Sequence, residues 1–73
     1  MKFSIVIPLY NEAENITQLN TELLLAIKKL KNDNNNFEII YVDDGSTDKT
    51  LDYLKKLNNE IKTLIIKNNY NLA

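Results

Sequence analysis

The sequence FEIIYVDDGSTD at residues 37–48 joins an apolar segment to a polar turn. Apart from Glu38, residues 37–42 are apolar and rich in β-branched side chains, as in a buried strand. Residues 43–48 contain the aspartate, glycine, serine and threonine residues that are typical of turns and helix starts. This stretch therefore predicts a strand that ends in a loop, with a helix after it.

The flanking sequence repeats this arrangement. Residues 3–8 and 62–66 predict two further apolar strands, the first of them buried on both faces. The order strand, helix, strand, helix, strand with short loops predicts an α/β fold, a Rossmann-like βαβαβ three-layer unit with a parallel sheet that occupies residues 1–73 as one domain. Apolar residues at helical spacing define the two helices, with Ile16, Leu19, Leu23, Ile27 and Leu30 in the first, of about five turns, and Leu51, Leu54 and Leu57 in the second.

Polar residues before each helix predict where it begins. Asn11 with Glu14 three residues later resembles a capping box for the first helix. Ser46 or Thr47 is expected to cap the second helix, with Asp48 in its first turn.

Composition limits the chemistry that is available. The chain has 73 residues, a net charge of -1, no cysteine and no histidine. The net charge gives no broad positive field, so we expect no nucleic-acid partner. Without cysteine or histidine there are no disulfides and no thiolate metal sites, and the usual neutral-pH base is missing. Any chemistry must therefore rely on carboxylates.

The sequence shows no membrane segment. Its longest unbroken apolar run is residues 23–27, far shorter than a bilayer span, and no signal peptide precedes the first strand. We expect a cytoplasmic location by default.

The most polar loops follow the first two strands, where parallel sheets bind ligands. If these strands are neighbours, Tyr10 and Glu12 should lie near Asp43 and Asp44. An aromatic ring beside carboxylates suits a nucleoside, whereas bare phosphate needs cations and glycine-rich loops, and Gly45 is the only glycine. The same residue types also suit an ordinary turn and a packed tyrosine, so a purely structural role stays open.

Two segments together resemble a known family. The sequences SIVIPLYNEAENI at residues 4–16 and EIIYVDDGSTDKT at residues 38–50 closely resemble the opening of glycosyltransferase family 2, in particular its polyprenyl-phosphate sugar transferases. The resemblance implies the N-terminal part of a GT-A fold and a UDP- or GDP-linked sugar as the partner. The catalytic domain of that family is several times longer than this chain.

The resemblance also implies site residues. The nucleotide-binding positions are expected at Pro8, Tyr10, Glu12, Val42 and Asp44. At second rank, Asp43 would shape the turn and Gly45 would allow close approach of the backbone. No catalytic residue and no metal ligand is expected in this chain.

The later parts of the family pattern are weaker or missing. Residues 67–73 resemble an R-N-x-G segment, with Asn71 where glycine is usual. The D-x-D motif, which holds a divalent metal on the diphosphate, would follow and is not present. We therefore expect no cofactor here, Mg or Mn in the full-length inverting enzyme, and no activity of this chain alone.

Two alternatives compete with the transferase fragment. One is a catalytically dead remnant or interaction module with the same fold, which self-associates through exposed sheet edges. The other is a receiver-like or flavodoxin-like domain, which is disfavoured because the third strand ends in Lys67 and Asn68 and lacks a phosphoacceptor aspartate.

Overall fold

The computed structural model describes residues 1–69 of the chain. The predicted turn at Asn71 lies outside the described residues. The elements are, in order, β1 (Lys2–Leu9), a 3-10 turn (Ala13–Asn15), α1 (Ile16–Leu30), β2 (Asn36–Asp44), α2 (Thr50–Lys55) and β3 (Thr63–Asn68).

The three strands form one parallel sheet in the order β1-β2-β3. β2 is central, and its register pairs Leu9 of β1 with Asp43 and pairs Asn68 of β3 with Asp44. The carboxyl ends of all three strands therefore meet at one edge. The predicted α/β class and the parallel βαβαβ order are confirmed.

Both helices pack on the same face of the sheet. Ile39 and Tyr41 of β2 are fully buried in one cluster with Ile16 and Ile27 of α1 and Leu54 of α2. Alternate strand residues point to one face, and two right-handed crossovers that advance in the same direction place both helices there. Residues 1–69 therefore form two layers, and the third layer of the expected unit is not formed by them.

The opposite face of the sheet is apolar and open to solvent. Val6, Leu64 and Ile66 point to this face and are 58%, 41% and 48% exposed. The prediction that the first strand is buried on both faces is wrong, because within residues 1–69 no helix covers this side. We call these three residues, with Pro8, Ile40 and Val42, the open face.

A buried polar chain joins the core to the loop before β3. The Tyr41 hydroxyl donates to Asn20 Oδ1 at 2.8 Å, and Asn20 Nδ2 donates to Asn59 Oδ1 at 2.8 Å. Burial raises the pKa of the Tyr41 phenol. These bonds satisfy polar groups that would otherwise be costly inside the protein.

The first helix begins later than predicted. α1 starts at Ile16 and has 15 residues, about four turns, and Asn15 occupies its N-cap position without a capping hydrogen bond from its side chain. The expected cap at Asn11 is wrong, because its side chain bonds to a different loop. Leu30, expected in the buried stripe, ends the helix and is 63% exposed.

The second helix is also shorter at its start. α2 begins at Thr50, and neither Ser46 nor Thr47 caps it. The Asp48 carboxylate instead accepts the Thr50 backbone N–H at 2.8 Å. Leu57 lies beyond the last residue of α2 but still packs against the core.

Candidate functional site

Two loops lie against each other at the carboxyl edge of the sheet. The backbone N–H groups of the first loop donate to side chains of the second loop and of the first residue of α2. The bonds run from Asn11 to Ser46 Oγ at 2.9 Å, from Glu12 to Thr50 Oγ1 at 2.9 Å and from Ala13 to Asp48 Oδ2 at 3.3 Å. The loops that were predicted to hold the ligand are thus directly bonded to each other.

The side chain of Asn11 makes further contacts between these loops. Its Oδ1 accepts the backbone N–H groups of Thr47 at 2.8 Å and of Asp48 at 3.3 Å, and its Nδ2 donates to Thr47 Oγ1 at 3.3 Å. Its φ angle of 51° lies in the left-handed region, which asparagine tolerates better than most residues. This role was not predicted from the sequence, although the tolerance of asparagine for this conformation is a signal for a turn.

Asp48 and Thr50 anchor the second loop. The Thr50 hydroxyl is completely buried and donates to Asp48 Oδ1. This bond is the largest cause of the lowered pKa of Asp48. Hydrogen bonds from backbone N–H groups, including those of Thr50 and Ala13, lower the pKa further. Asp48 is therefore an anionic acceptor that holds both loops together.

Three of the predicted nucleotide-binding residues share the open face. Pro8 and Val42 are register partners in adjacent strands. Asp44 is two residues beyond Val42 in β2, so its side chain points to the same face. Tyr10 follows the end of β1 and is 43% exposed. An aromatic ring, two apolar residues and a carboxylate therefore occupy the same edge.

Asp44 has an unusual carboxylate. Its Oδ1 is buried and has no hydrogen-bond partner among residues 1–69. Buried polar atoms are normally paired, and an unpaired one needs an explanation. A ligand hydroxyl or N–H group that reached this oxygen would satisfy it.

The other three predicted residues have mainly local contacts. Asp43 is 1% exposed, on the helix-covered face, and its Oδ1 accepts the Ser46 N–H at 3.3 Å. Gly45 has a φ angle of 74°, where only glycine is free of steric cost. Glu12 Oε2 accepts from Asn15 Nδ2 at 2.9 Å, and no contact described for Glu12 joins it to Asp44.

Neither a metal site nor a membrane span is found within residues 1–69. No group of three or more acidic, histidine or cysteine side chains that could hold a metal ion occurs within residues 1–69. In the same part of the chain, no helix has the length and apolar character to cross a bilayer. A cleft of about 900 Å³ lies at the opposite, amino end of the sheet, beside Lys2, Phe37 and Lys62, away from the paired loops.

The fold and the comparisons together identify the family. A parallel βαβαβ unit with two bonded polar loops at its carboxyl edge has the architecture of the N-terminal unit of a GT-A fold. The family model described as Glycosyl transferase family 2 matches residues 4–73. The chain belongs to this family.

Curated relatives agree with this assignment. The chain is 38% identical over 94% of its length to an undecaprenyl-phosphate 4-deoxy-4-formamido-L-arabinose transferase of Photorhabdus laumondii, and this match covers 22% of the relative. It is 36% identical over 92% of its length to a dolichol-phosphate mannosyltransferase of Pyrococcus furiosus, covering 18% of it. It is 41% identical over 84% of its length to a poly(ribitol-phosphate) beta-N-acetylglucosaminyltransferase of Staphylococcus aureus, covering 10% of it.

The chain thus spans about a fifth or less of the length of these relatives. The predicted resemblance to polyprenyl-phosphate sugar transferases is confirmed by the first two names. No solved structure matches the chain.

Proposed function

We propose that this chain supplies the nucleoside-binding half of a donor site in a glycosyltransferase that uses a nucleoside-diphosphate sugar. The observation that carries this proposal is the buried Oδ1 of Asp44, which has no partner among residues 1–69 and lies at the carboxyl edge of the sheet. Ligands of open parallel sheets bind at this edge. A ribose hydroxyl or a base N–H group would satisfy the oxygen.

The neighbouring residues suit the remainder of a nucleoside. Tyr10 offers an exposed ring on which a base can stack, and Pro8 and Val42 give an apolar surface at the same edge of the sheet. Glu12, in the first loop, adds a second carboxylate to that of Asp44. Asp43 and Gly45 set the turn that presents Asp44.

The sugar-transfer step belongs to the complete enzyme. Mg or Mn is proposed for that enzyme, but residues 1–69 contain no set of ligands for either ion, so no step is assigned to a metal here. We also propose that the complete enzyme inverts the anomeric carbon and transfers the sugar to a polyprenyl-phosphate acceptor. A cytoplasmic location and the inactivity of this chain alone are further proposals. What this chain contributes is recognition of the base and ribose.

An NMR titration of the labelled chain with uridine, guanosine, UDP and GDP tests this function. We expect the nucleosides to shift the amides of Tyr10, Val42 and Asp44 without added metal. Asp44→Asn should abolish these shifts, because it replaces one acceptor oxygen by a donor. Asp33→Asn is the matched control, since Asp33 is exposed and lies before β2, far from the site. A folded chain that shows no shifts at millimolar nucleoside would overturn the proposal.

The open face favours a second candidate, a non-catalytic interaction module. Val6, Leu64 and Ile66 are large apolar residues exposed on one surface, which is a common property of protein interfaces. The titration separates the two candidates. A nucleoside site predicts amide shifts that depend on Asp44, whereas an interaction module predicts no nucleoside binding.

A further inference from the structure

We propose that Asn11 is a positioning residue that couples the two loops of the site and so fixes Tyr10 relative to Asp44. This inference rests on the proposed nucleoside site for its effect on binding. The coupling itself depends only on contacts within the chain.

The position of Asn11 in the sequence makes it suitable for this role. It lies between Tyr10 and Glu12, both proposed to contact the ligand. Its side chain bonds to Thr47 and Asp48, a few residues after Asp44. A displacement of either loop would therefore break these bonds and separate the aromatic ring from the carboxylate.

Asparagine meets three requirements at this position. It adopts the left-handed φ of 51°, it accepts two backbone N–H groups through Oδ1, and it donates through Nδ2. Glycine would meet only the first requirement. Aspartate would keep the acceptor, lose the donor and place a second negative charge near the Asp48 carboxylate.

The coupling is separate from the forces that stabilise the fold. Asn11 is exposed, and its side-chain partners Thr47 and Asp48 are exposed as well. The core cluster of Ile39 and Tyr41 lies behind the loops and does not include Asn11. Loss of the Asn11 side chain should therefore loosen the site with little effect on the stability of the domain.

The test compares Asn11→Gly with Asn32→Gly. Asn32 also accepts a loop backbone N–H through its side chain, that of Asn34 at 2.8 Å, but in the loop before β2. In Asn11→Gly we expect amide hydrogen exchange at Thr47 and Asp48 to become several times faster. We also expect nucleoside affinity to fall roughly tenfold at an almost unchanged melting temperature, equivalent to about 1.4 kcal/mol of binding free energy. Asn32→Gly should change neither quantity.

Three outcomes separate the possibilities. Unchanged exchange at Thr47 and Asp48 in Asn11→Gly would overturn the coupling. A loss of affinity that only follows a lower melting temperature, or that equals the loss in Asn32→Gly, would also overturn it, because Asn11 would then be merely structural. If the parent chain binds no nucleoside, the proposed function fails, and the exchange measurement alone decides the coupling.

Discussion

The neighbours of the Glu38 carboxylate affect its pKa to different extents. The Ser4 hydroxyl donates to its Oε1 at 2.6 Å, and the amino groups of Lys2 and Lys62 lie 3.4 and 3.8 Å from its Oε2. Both lysine side chains are mostly exposed, so water and salt weaken these ion pairs. The pKa of Glu38 is lowered from its ordinary value of 4.5, and the hydrogen bond from Ser4 is the largest cause.

This geometry predicts the response of the protein to acid. A carboxyl group with a lowered pKa in the folded state contributes stability above its ordinary pKa and loses it as the pH falls through the folded value. We therefore expect Ser4→Ala to raise the pKa of Glu38 and to move the midpoint of acid unfolding to higher pH. Lys2→Met should also raise the pKa of Glu38, because it removes both a hydrogen bond and an ion pair, and the contribution of the ion pair should disappear at high salt.

Circular dichroism during acid titration gives the midpoints, and NMR of the Glu38 side-chain carboxyl gives its pKa. An unchanged Glu38 pKa in Ser4→Ala would contradict the assignment of the Ser4 hydrogen bond as the largest single cause.

Local sequence patterns identified polar loop residues but not their partners. Asn11 and Ser46 were both predicted to cap helices, because asparagine and serine before an apolar run usually do so. In the structure each bonds to the other loop, 35 residues away for the Asn11 backbone N–H and Ser46 Oγ. A short pattern cannot distinguish a bond within one loop from a bond between two, since the side-chain chemistry is the same.

At the scale of the element, α1 has strongly unequal faces. Ile27 is 1% exposed and belongs to the core cluster, whereas Leu25, two residues earlier, is 56% exposed. The helix therefore contributes to stability through one stripe that packs against the sheet. In such helices packing contributes more than intrinsic helix propensity.

A pair of alanine substitutions in α1 tests this difference. Ile27→Ala should lower the free energy of unfolding by about 2–5 kcal/mol, since it removes buried methyl groups and leaves a cavity. This loss is a large part of the total stability of a small domain. Leu25→Ala should change it by less than about 0.5 kcal/mol. Urea unfolding of both variants measures the two values, and similar losses would show that α1 does not pack as described.

The elements themselves were largely predictable from the sequence. Apolar runs and helical spacing gave all three strands and both helices in the correct order, because period and length distinguish the two types of element. The covering of the sheet was not predictable in the same way. Val6 and Ile66 are apolar, as in a strand buried on two faces, yet the described helices cover only one.

At the scale of the whole molecule, the open face dominates the surface properties. Val6, Leu64 and Ile66 form an exposed apolar surface across two edge strands, and the net charge of -1 gives little electrostatic repulsion between molecules. Both conditions favour association of the isolated chain. Self-association through sheet edges was predicted from the sequence, and the open face is a further surface that can take part.

The open face predicts a concentration-dependent association. The double substitution Val6→Thr and Ile66→Thr keeps β-branched residues in the strands but removes apolar surface, so the variant should sediment as a monomer at concentrations where the parent associates. Leu25→Gln serves as the control, because it removes an exposed apolar side chain from α1. A strictly monomeric parent, or equal dissociation by the control, would refute the role of this face.

The strand register has a consequence for how the chain folds in time. Every β1 residue pairs with a residue of β2 on the far side of α1, as Ser4 and Glu38 do across 34 positions, and β2 and β3 pair across α2 in the same manner. No strand pair can form as a local hairpin, and non-local pairing slows folding because each loop must close before its contacts stabilise it. We expect the helices to form early and the sheet later. The contacts between the loops at the ends of β1 and β2 should form last, so a ribosome-bound nascent chain would acquire its proposed nucleoside site only after all three strands had emerged.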